Sequence, residues 1–170
     1  SFTSGHSSNA VSLGLGLACG RDLLPKEEQF KVVSVIGDGS LSGGLCFEGL
    51  NNAGHLKKDI LVVLNTNELS IAPNVGAISN YLNKIISLPV YNRFRENVEK
   101  FLKTRVPRGS RLIKLMIKFE EGLKGLFVPG VLFEELGFRY FGPIDGHDFN
   151  SLVFTLKNIL EIKGPRLLHV

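Results

Sequence analysis

Two side chains suited to binding a hard metal ion follow two apolar, β-branched runs of the sequence. Asp38 lies just after the run Val32–Ile36, and Asn67 lies just after the run Ile60–Leu64. Carboxylate and amide oxygens suit Mg²⁺ or Ca²⁺ and are poor ligands for a soft metal. In an open α/β sheet, ligands bind beyond the carboxyl ends of the strands. The spacing therefore predicts that Asp38 and Asn67 converge on one divalent cation.

The residues beside Asp38 favour a diphosphate as the second part of this ligand. Gly39 permits close backbone approach, and Ser40 together with the N–H groups that open the next helix donates hydrogen bonds. Mg²⁺ takes about six oxygens, so two side chains and a backbone carbonyl leave positions for water and two phosphate oxygens. A Gly-Asp-Gly triplet alone also makes ordinary turns. The strand before it, the helix after it and the second strand ending in asparagine favour the site.

The elements that position these residues alternate between strands and helices. The two apolar runs are predicted to be strands buried on both faces of a parallel sheet, and the helix Leu45–Leu56 joins them in a βαβ unit. The remaining predicted elements are a helix over Ser7–Leu24, a short helix through Phe133 and Leu136, a strand over Phe138–Phe141, a helix from an Asp148 cap to Ile162, and a strand over Arg166–Val170. The fold class is α/β, a mostly parallel, doubly wound sheet with helices on both faces.

Length and composition indicate one partial domain over residues 1–170. The 170 residues suffice for a single core, and 44% hydrophobic with 21% charged residues excludes disordered, collagen-like and coiled-coil chains. Weak patterning over residues 77–125 predicts a mobile helical insertion. The absence of an initiator Met and the apolar ending predict a piece of a longer protein. Two cysteines are too few for a disulfide framework, which favours a reducing compartment.

Other binding motifs are disfavoured. The glycines of Gly14–Gly20 have the wrong spacing for a dinucleotide fingerprint and lie within a helix, and the sequence has no Gly-Lys-Ser/Thr for a P-loop. It also lacks a continuous apolar membrane span. The stretch Lys84–Lys124 carries eleven Lys or Arg against four Glu, which favours a solvated helical face. A non-catalytic basic binding module remains the alternative from another functional class.

Longer strings around the metal motif resemble the 1-deoxy-D-xylulose-5-phosphate synthases, a thiamine-diphosphate enzyme family of the transketolase type. The Asn-Glu-Leu-Ser-Ile string from Asn67 and the Gly142–Asp148 string are the most specific. The resemblance covers nearly the whole chain and is carried by Gly5–Ser8, Val35–Gly44, Phe47–Glu48, Asn51–Gly54, Leu64–Ile71, Asn74–Ala77, Val128–Gly130, Leu132–Phe138 and Gly142–Asp148. It implies part of the N-terminal, diphosphate-binding domain of the thiamine-diphosphate fold.

The resemblance also implies roles for individual residues. Mg²⁺ would be held by Asp38, Asn67 and the backbone carbonyl of Leu69. Cofactor contacts would come from Gly5, His6, Ser7, Asp38, Gly39, Ser40 and Asn67. His6 would be the catalytic residue of the chain, close enough to act on protons or to bind substrate. Ser40 and Ser42 stand where the family often has Ala and Thr, and Leu69 replaces a frequent Met.

The implied reaction is the decarboxylative condensation of pyruvate with glyceraldehyde 3-phosphate, which serves isoprenoid and thiamine biosynthesis. The implied protein is a homodimer of the cytoplasm or plastid stroma with thiamine diphosphate and Mg²⁺ and with no nucleic-acid or membrane partner. The family's second active-site histidine and its cofactor-activating glutamate lie outside this chain, so the chain alone is expected to be inactive. A transketolase or a two-oxoacid dehydrogenase component remains an alternative, because such enzymes share the metal motif.

Three further residues have simpler predicted roles. Cys46 is expected in the core, on the helix after the phosphate loop. His147 is equally consistent with turn chemistry and with a functional role. His169 lies in the last predicted strand, from which it can face the same sheet edge as Asp38.

Overall fold

A computed structural model describes residues 4–66, 77, 80, 81 and 130–170. The described elements are, in chain order, α1 (Ala10–Arg21), a 3₁₀ turn (Lys26–Glu28), β1 (Val33–Gly37), α2 (Asp38–Leu41), α3 (Gly44–His55), β2 (Leu61–Asn65), α4 (Val131–Glu135), β3 (Arg139–Phe141), α5 (Phe149–Leu160) and β4 (Arg166–His169). All elements predicted within these ranges are present, with ends that differ by at most three residues. The predicted insertion over 77–125 and the basic stretch Lys84–Lys124 lie outside the described residues, apart from residues 77, 80 and 81.

The four strands form one parallel sheet in the order β1-β2-β4-β3. Strands β1 and β2 are adjacent and are joined through α2 and α3, which confirms the predicted βαβ unit. Strand β4, at the far end of the chain, inserts between β2 and β3. The carboxyl ends of β1, β2 and β4 therefore lie side by side along one edge.

Helices cover both faces of the sheet. On one face, Val62 of β2 and Leu167 of β4 pack in a core with residues of α1 and α3. On the other face, Leu61 and Leu168 pack against Ile159 of α5. Alternating side chains of the same strands thus serve two separate cores, as expected for a doubly wound sheet.

The prediction that both strands are buried on both faces is wrong for β1, which is buried on one face only. Ser34 and Ile36 are buried, whereas Val33 and Val35 are 46% and 63% exposed. The reason is strand order: β1 is the outermost described strand on its side, and α5 packs over β2 and β4 instead. A β-branched run predicts a strand without fixing its place in the sheet.

Small residues set the distance between α1 and the sheet. A Cβ added at Gly14 would overlap the Ser34 hydroxyl, and that hydroxyl donates a hydrogen bond to the Ala10 carbonyl at 3.0 Å. On the neighbouring helix, a Cβ at Gly49 would lie 2.8 Å from Ser12 Oγ. The glycines therefore let α1 pack closely on both β1 and α3. None of the described helices is long and apolar enough to span a membrane.

A buried arginine fixes the amino edge of the sheet, opposite the edge where Asp38 lies. Arg166, at the start of β4, is 1% exposed and pairs with the Asp59 carboxylate. Its guanidinium also donates to the Ile159 carbonyl at 3.2 Å, near the end of α5. These contacts pair the buried charge, while Nε of the same guanidinium is buried without a hydrogen-bond partner among the described residues.

Candidate functional site

The predicted metal ligand Asp38 begins α2 directly after β1, at the carboxyl edge of the sheet. Its side chain is half-buried, and its Oδ1 accepts a hydrogen bond from the Gly39 N–H at 2.8 Å. Gly37 of β1 is the register partner of Asn65 of β2. The residues that follow these partners therefore leave the sheet next to each other.

Two other predicted ligands, Asn67 and Leu69, lie outside the described residues. Convergence of Asp38 with Asn67 therefore stays a prediction, supported by the register of the strands that precede them. In the described part of the chain, no three His, Cys, Asp or Glu side chains form a metal-binding group. The donor chemistry that is described, a hard carboxylate at a strand end, fits Mg²⁺.

Open space adjoins the backbone beside Asp38. A Cβ added at Gly37, the residue before Asp38, would meet no atom of the described residues within 4 Å, so this backbone position borders open space. Gly39 and Ser40 lie in the single turn of α2 and are half-buried. The Ser42 hydroxyl donates to the Gly39 carbonyl at 2.7 Å, which holds this turn from its far end. The α2 turn is thus held by a side-chain hydrogen bond and has open space at the residue before it.

The amino-terminal segment Gly5–Ser8 reaches this turn through its last residue. A Cβ added at Gly43 would overlap the Ser8 hydroxyl, and Ser8 has a positive φ of 70°. The Gly43 N–H in turn donates to the Ser40 carbonyl at 3.3 Å. The sequence analysis predicted roles for Gly5, His6 and Ser7 but not the contact of Ser8. That contact depends on the close approach of Ser8 to Gly43, which the sequence does not show.

The predicted catalytic residue His6 is exposed within that segment. Its backbone N–H donates to the Ser4 hydroxyl at 3.2 Å, and its carbonyl accepts from the same hydroxyl at 3.3 Å. Gly5 and Ser7 are also exposed. The Ser8 contact brings the segment beside the α2 turn, and the described geometry leaves the His6 side chain open to solvent.

A hydrogen-bonded chain at the same edge was not predicted from sequence. His169, the last residue of β4, is 1% exposed and lies between two hydroxyls. Its Nε2 is 2.8 Å from Thr66 Oγ1, and its Nδ1 is 2.7 Å from the Tyr140 hydroxyl. Burial lowers the pKa of His169 to about 4, while the Asp38 carboxylate acts in the opposite direction. The structure confirms that His169 faces this edge. Its two hydroxyl partners were not predicted, because they depend on the order of the strands in the sheet.

The Gly142–Asp148 string folds over the carboxyl end of β4. Gly142 has a φ of +115°, and a Cβ there would overlap the His169 carbonyl oxygen. That carbonyl accepts a hydrogen bond from the Ile144 N–H at 2.9 Å. The string therefore packs against the backbone of His169.

The geometry confirms the predicted role of Cys46 and shows His147 in a turn. Cys46 is fully buried, and burial raises the pKa of its thiol to about 11, which confirms a core role. The His147 side chain is fully exposed, and its backbone N–H donates to Asp145 Oδ1 at 2.9 Å. These contacts are those of a turn. Asp148 caps α5 as predicted, accepting from the Ser151 N–H at 3.2 Å.

Sequence comparison finds one family across the whole chain. The model of the 1-deoxy-D-xylulose-5-phosphate synthase family matches residues 1–170. The synthase of Aquifex aeolicus is 52% identical over 170 residues, covering 99% of this chain and 26% of that protein. The synthase of Alkaliphilus oremlandii is 49% identical over 169 residues, covering 99% and 27%. The chain thus spans about a quarter of the length of the curated relatives it matches.

Structural comparison supports the fold independently. A transketolase from Campylobacter jejuni superposes with a TM-score of 0.56 at 20% identity, covering 95% of this chain and 18% of that chain. A putative thiamin diphosphate-dependent enzyme from Mycobacterium smegmatis gives 0.55 at 19% identity, covering 98% and 22%. These similarities confirm the predicted α/β fold of thiamine-diphosphate enzymes.

Proposed function

The chain belongs to the 1-deoxy-D-xylulose-5-phosphate synthase family, and from this premise we propose that it is the part of such a synthase that binds Mg²⁺ and the cofactor diphosphate. The parent protein is then a transferase that joins pyruvate to glyceraldehyde 3-phosphate with loss of carbon dioxide. It acts in isoprenoid biosynthesis as a cytoplasmic homodimer. The chain spans about a quarter of the length of its relatives, and by itself it would be inactive.

The register of β1 and β2 carries this proposal. Gly37 and Asn65 are paired at adjacent strand ends, so Asp38 and Thr66 leave the sheet at one edge, which supports a position of Asn67 near Asp38. Asp38, Asn67 and the Leu69 carbonyl would hold Mg²⁺, leaving positions for water and phosphate oxygens. Gly39 and Ser40 would adjoin the diphosphate beside the open space at Gly37.

The segment Gly5–Ser8 would hold the rest of the cofactor. Its contact with the α2 turn, through Ser8 and Gly43, supports a placement of Gly5, His6 and Ser7 beside the diphosphate. The exposed His6 side chain would then bind substrate or move a proton at a ring nitrogen. When bound, thiamine diphosphate supplies the electron sink for decarboxylation and carbon–carbon bond formation.

Calorimetry on the full-length protein tests this proposal. We expect thiamine diphosphate to bind only with Mg²⁺, and Asp38→Ala to abolish that binding. Pyruvate and glyceraldehyde 3-phosphate should yield carbon dioxide and a five-carbon product. Carbon dioxide without that product would favour another thiamine-diphosphate enzyme, and absence of cofactor binding would contradict the proposal.

A further inference from the structure

The side chain of His169 joins three strands at the carboxyl edge of the sheet. Its ring lies between Thr66, the residue after β2, and Tyr140 of β3, at 2.8 and 2.7 Å. The Tyr140 ring is itself held by stacking on Phe133, with parallel planes and centroids 5.9 Å apart. The ring of His169 therefore connects Tyr140, whose ring stacks on Phe133, with Thr66, the residue that follows β2.

Burial keeps this imidazole neutral, which couples its two partners. A neutral ring has one N–H and one acceptor nitrogen, so one hydroxyl must donate to the ring and the other must accept from it. The donor or acceptor role of the Thr66 hydroxyl is thus coupled through the ring to that of the Tyr140 hydroxyl. A hydrocarbon side chain of similar size in place of His169 would leave the Thr66 hydroxyl without this partner.

Strand pairing does not require this side-chain bridge. The Thr66 N–H donates to the Val170 carbonyl at 2.8 Å, and the Val170 N–H donates to the Leu64 carbonyl at 2.8 Å. The backbone ladder therefore already aligns β2 with β4. Because the ladder already aligns the strands, what the bridge adds is a contact that holds the Thr66 side chain.

The bridge lies where the proposed site begins. Thr66 comes immediately before Asn67 in the sequence, and the Asp38 charge is close enough to His169 to influence its ring. We propose that His169 is a positioning residue for the metal and diphosphate site: with Tyr140 behind it, it fixes Thr66 and so the exit of β2 beside Asp38. This inference rests on the proposed function, since it concerns the same site.

Three variants of the full-length protein test it. His169→Phe removes both ring nitrogens, Thr66→Val removes only the hydroxyl, and His169→Gln retains a polar group near Nε2. Leu167→Ala is the matched control, because Leu167 is fully buried on the same face of β4 and forms no part of the bridge. The readouts are the Mg²⁺ concentration that gives half-maximal thiamine-diphosphate binding, the melting temperature, and kcat and KM for pyruvate.

We expect His169→Phe and Thr66→Val to raise that Mg²⁺ concentration about tenfold or more, as loss of groups that orient metal ligands does elsewhere. His169→Gln should restore most of the affinity, and KM for pyruvate should stay unchanged at saturating Mg²⁺ and cofactor. Leu167→Ala should lower the melting temperature without changing the Mg²⁺ requirement. If His169→Phe does not fold, the Mg²⁺ requirement of Thr66→Val tests the inference on its own.

Wild-type Mg²⁺ dependence in Thr66→Val would overturn the inference, and so would an equal shift in Leu167→Ala. In either case Asp38→Ala would still abolish binding, and the proposed function would stand. Failure of the wild-type protein to bind the cofactor would instead overturn the proposed function, and the inference with it.

Discussion

Gly37 of β1 and Asn65 of β2 are register partners at the carboxyl ends of two adjacent parallel strands. Each partner precedes a proposed Mg²⁺ ligand. Asp38 directly follows Gly37, and Asn67 lies two positions after Asn65. A one-residue slip would reverse the faces to which the side chains of β2 point. The proposal that Asp38 and Asn67 share a ligand therefore rests on this register.

Replacing the Asp38 carboxylate should remove most of the metal affinity. We expect Asp38→Asn to weaken Mg²⁺-dependent binding of thiamine diphosphate by about 100-fold, which corresponds to ~2.7 kcal/mol. Titration calorimetry on the full-length protein measures this. Glu161→Gln, an exposed carboxylate at the end of α5, is the control and should bind normally. If Asp38→Asn and wild type bound thiamine diphosphate with equal affinity, Asp38 would not be a ligand of the metal.

The contact between Ser8 and Gly43 should matter for cofactor binding. Gly43→Ala places a methyl group on the Ser8 hydroxyl, so we expect it to displace the Gly5–Ser8 segment and weaken cofactor binding several-fold. Gly44→Ala is the matched control, because its Cβ would meet open space.

A double variant checks the cause of that effect. Ser8→Gly removes the overlapping side chain and suits the positive φ of 70° at this position. Combined with Gly43→Ala, it should recover binding towards the level of Ser8→Gly alone. If the two substitutions weaken binding additively, direct contact is not the reason.

Gly142 should tolerate no side chain. Gly142→Ala combines a φ of +115° with overlap on the His169 carbonyl, and we expect it to lower the free energy of unfolding by about 2 kcal/mol or more. Gly164→Ala is the control, with a φ of +92° and open space at its Cβ. It should cost about 1 kcal/mol, the strain of the left-handed conformation alone. Chemical denaturation measures both, and equal losses would argue against the close approach.

Acid should destabilise the protein through His169. Its pKa is about 4 in the folded protein and about 6.5 when unfolded, so between these values the unfolded chain binds more protons. Stability from this residue is therefore complete above pH 6.5 and is lost as pH falls towards 4. At pH 5 the loss should be about 2 kcal/mol relative to pH 7.

Urea unfolding of wild type and His169→Gln at the two pH values isolates this effect. The difference in stability between the proteins should change by that amount, because glutamine does not titrate. A difference that is independent of pH would mean that His169 is not held neutral by burial.

Local sequence patterns predicted the elements because each is specified by its own residues. The β-branched runs before Asp38 and Asn67 gave the strands within one residue, and Asp148 marked the start of α5. The exposure of Val33 and Val35 was not predictable, because it depends on which strand lies at the edge.

The site was only partly predictable for the same reason. Asp38 follows from the strand that precedes it, whereas the pairing of Thr66 with His169 joins residues 103 positions apart. That pairing exists only because β4 inserts beside β2, an order that spacing along the chain does not specify. The Ser8 contact likewise depends on a positive φ at a residue that is not glycine.

The most direct test of the metal site is a crystal structure of the full-length protein with Mg²⁺ and thiamine diphosphate. We expect an Asp38 carboxylate oxygen and the Asn67 amide oxygen each to lie about 2.1 Å from one Mg²⁺ that also contacts the diphosphate. A bound cofactor whose Mg²⁺ lacks either oxygen, with Asp38 and Asn67 on opposite sides of the ligand, would contradict it.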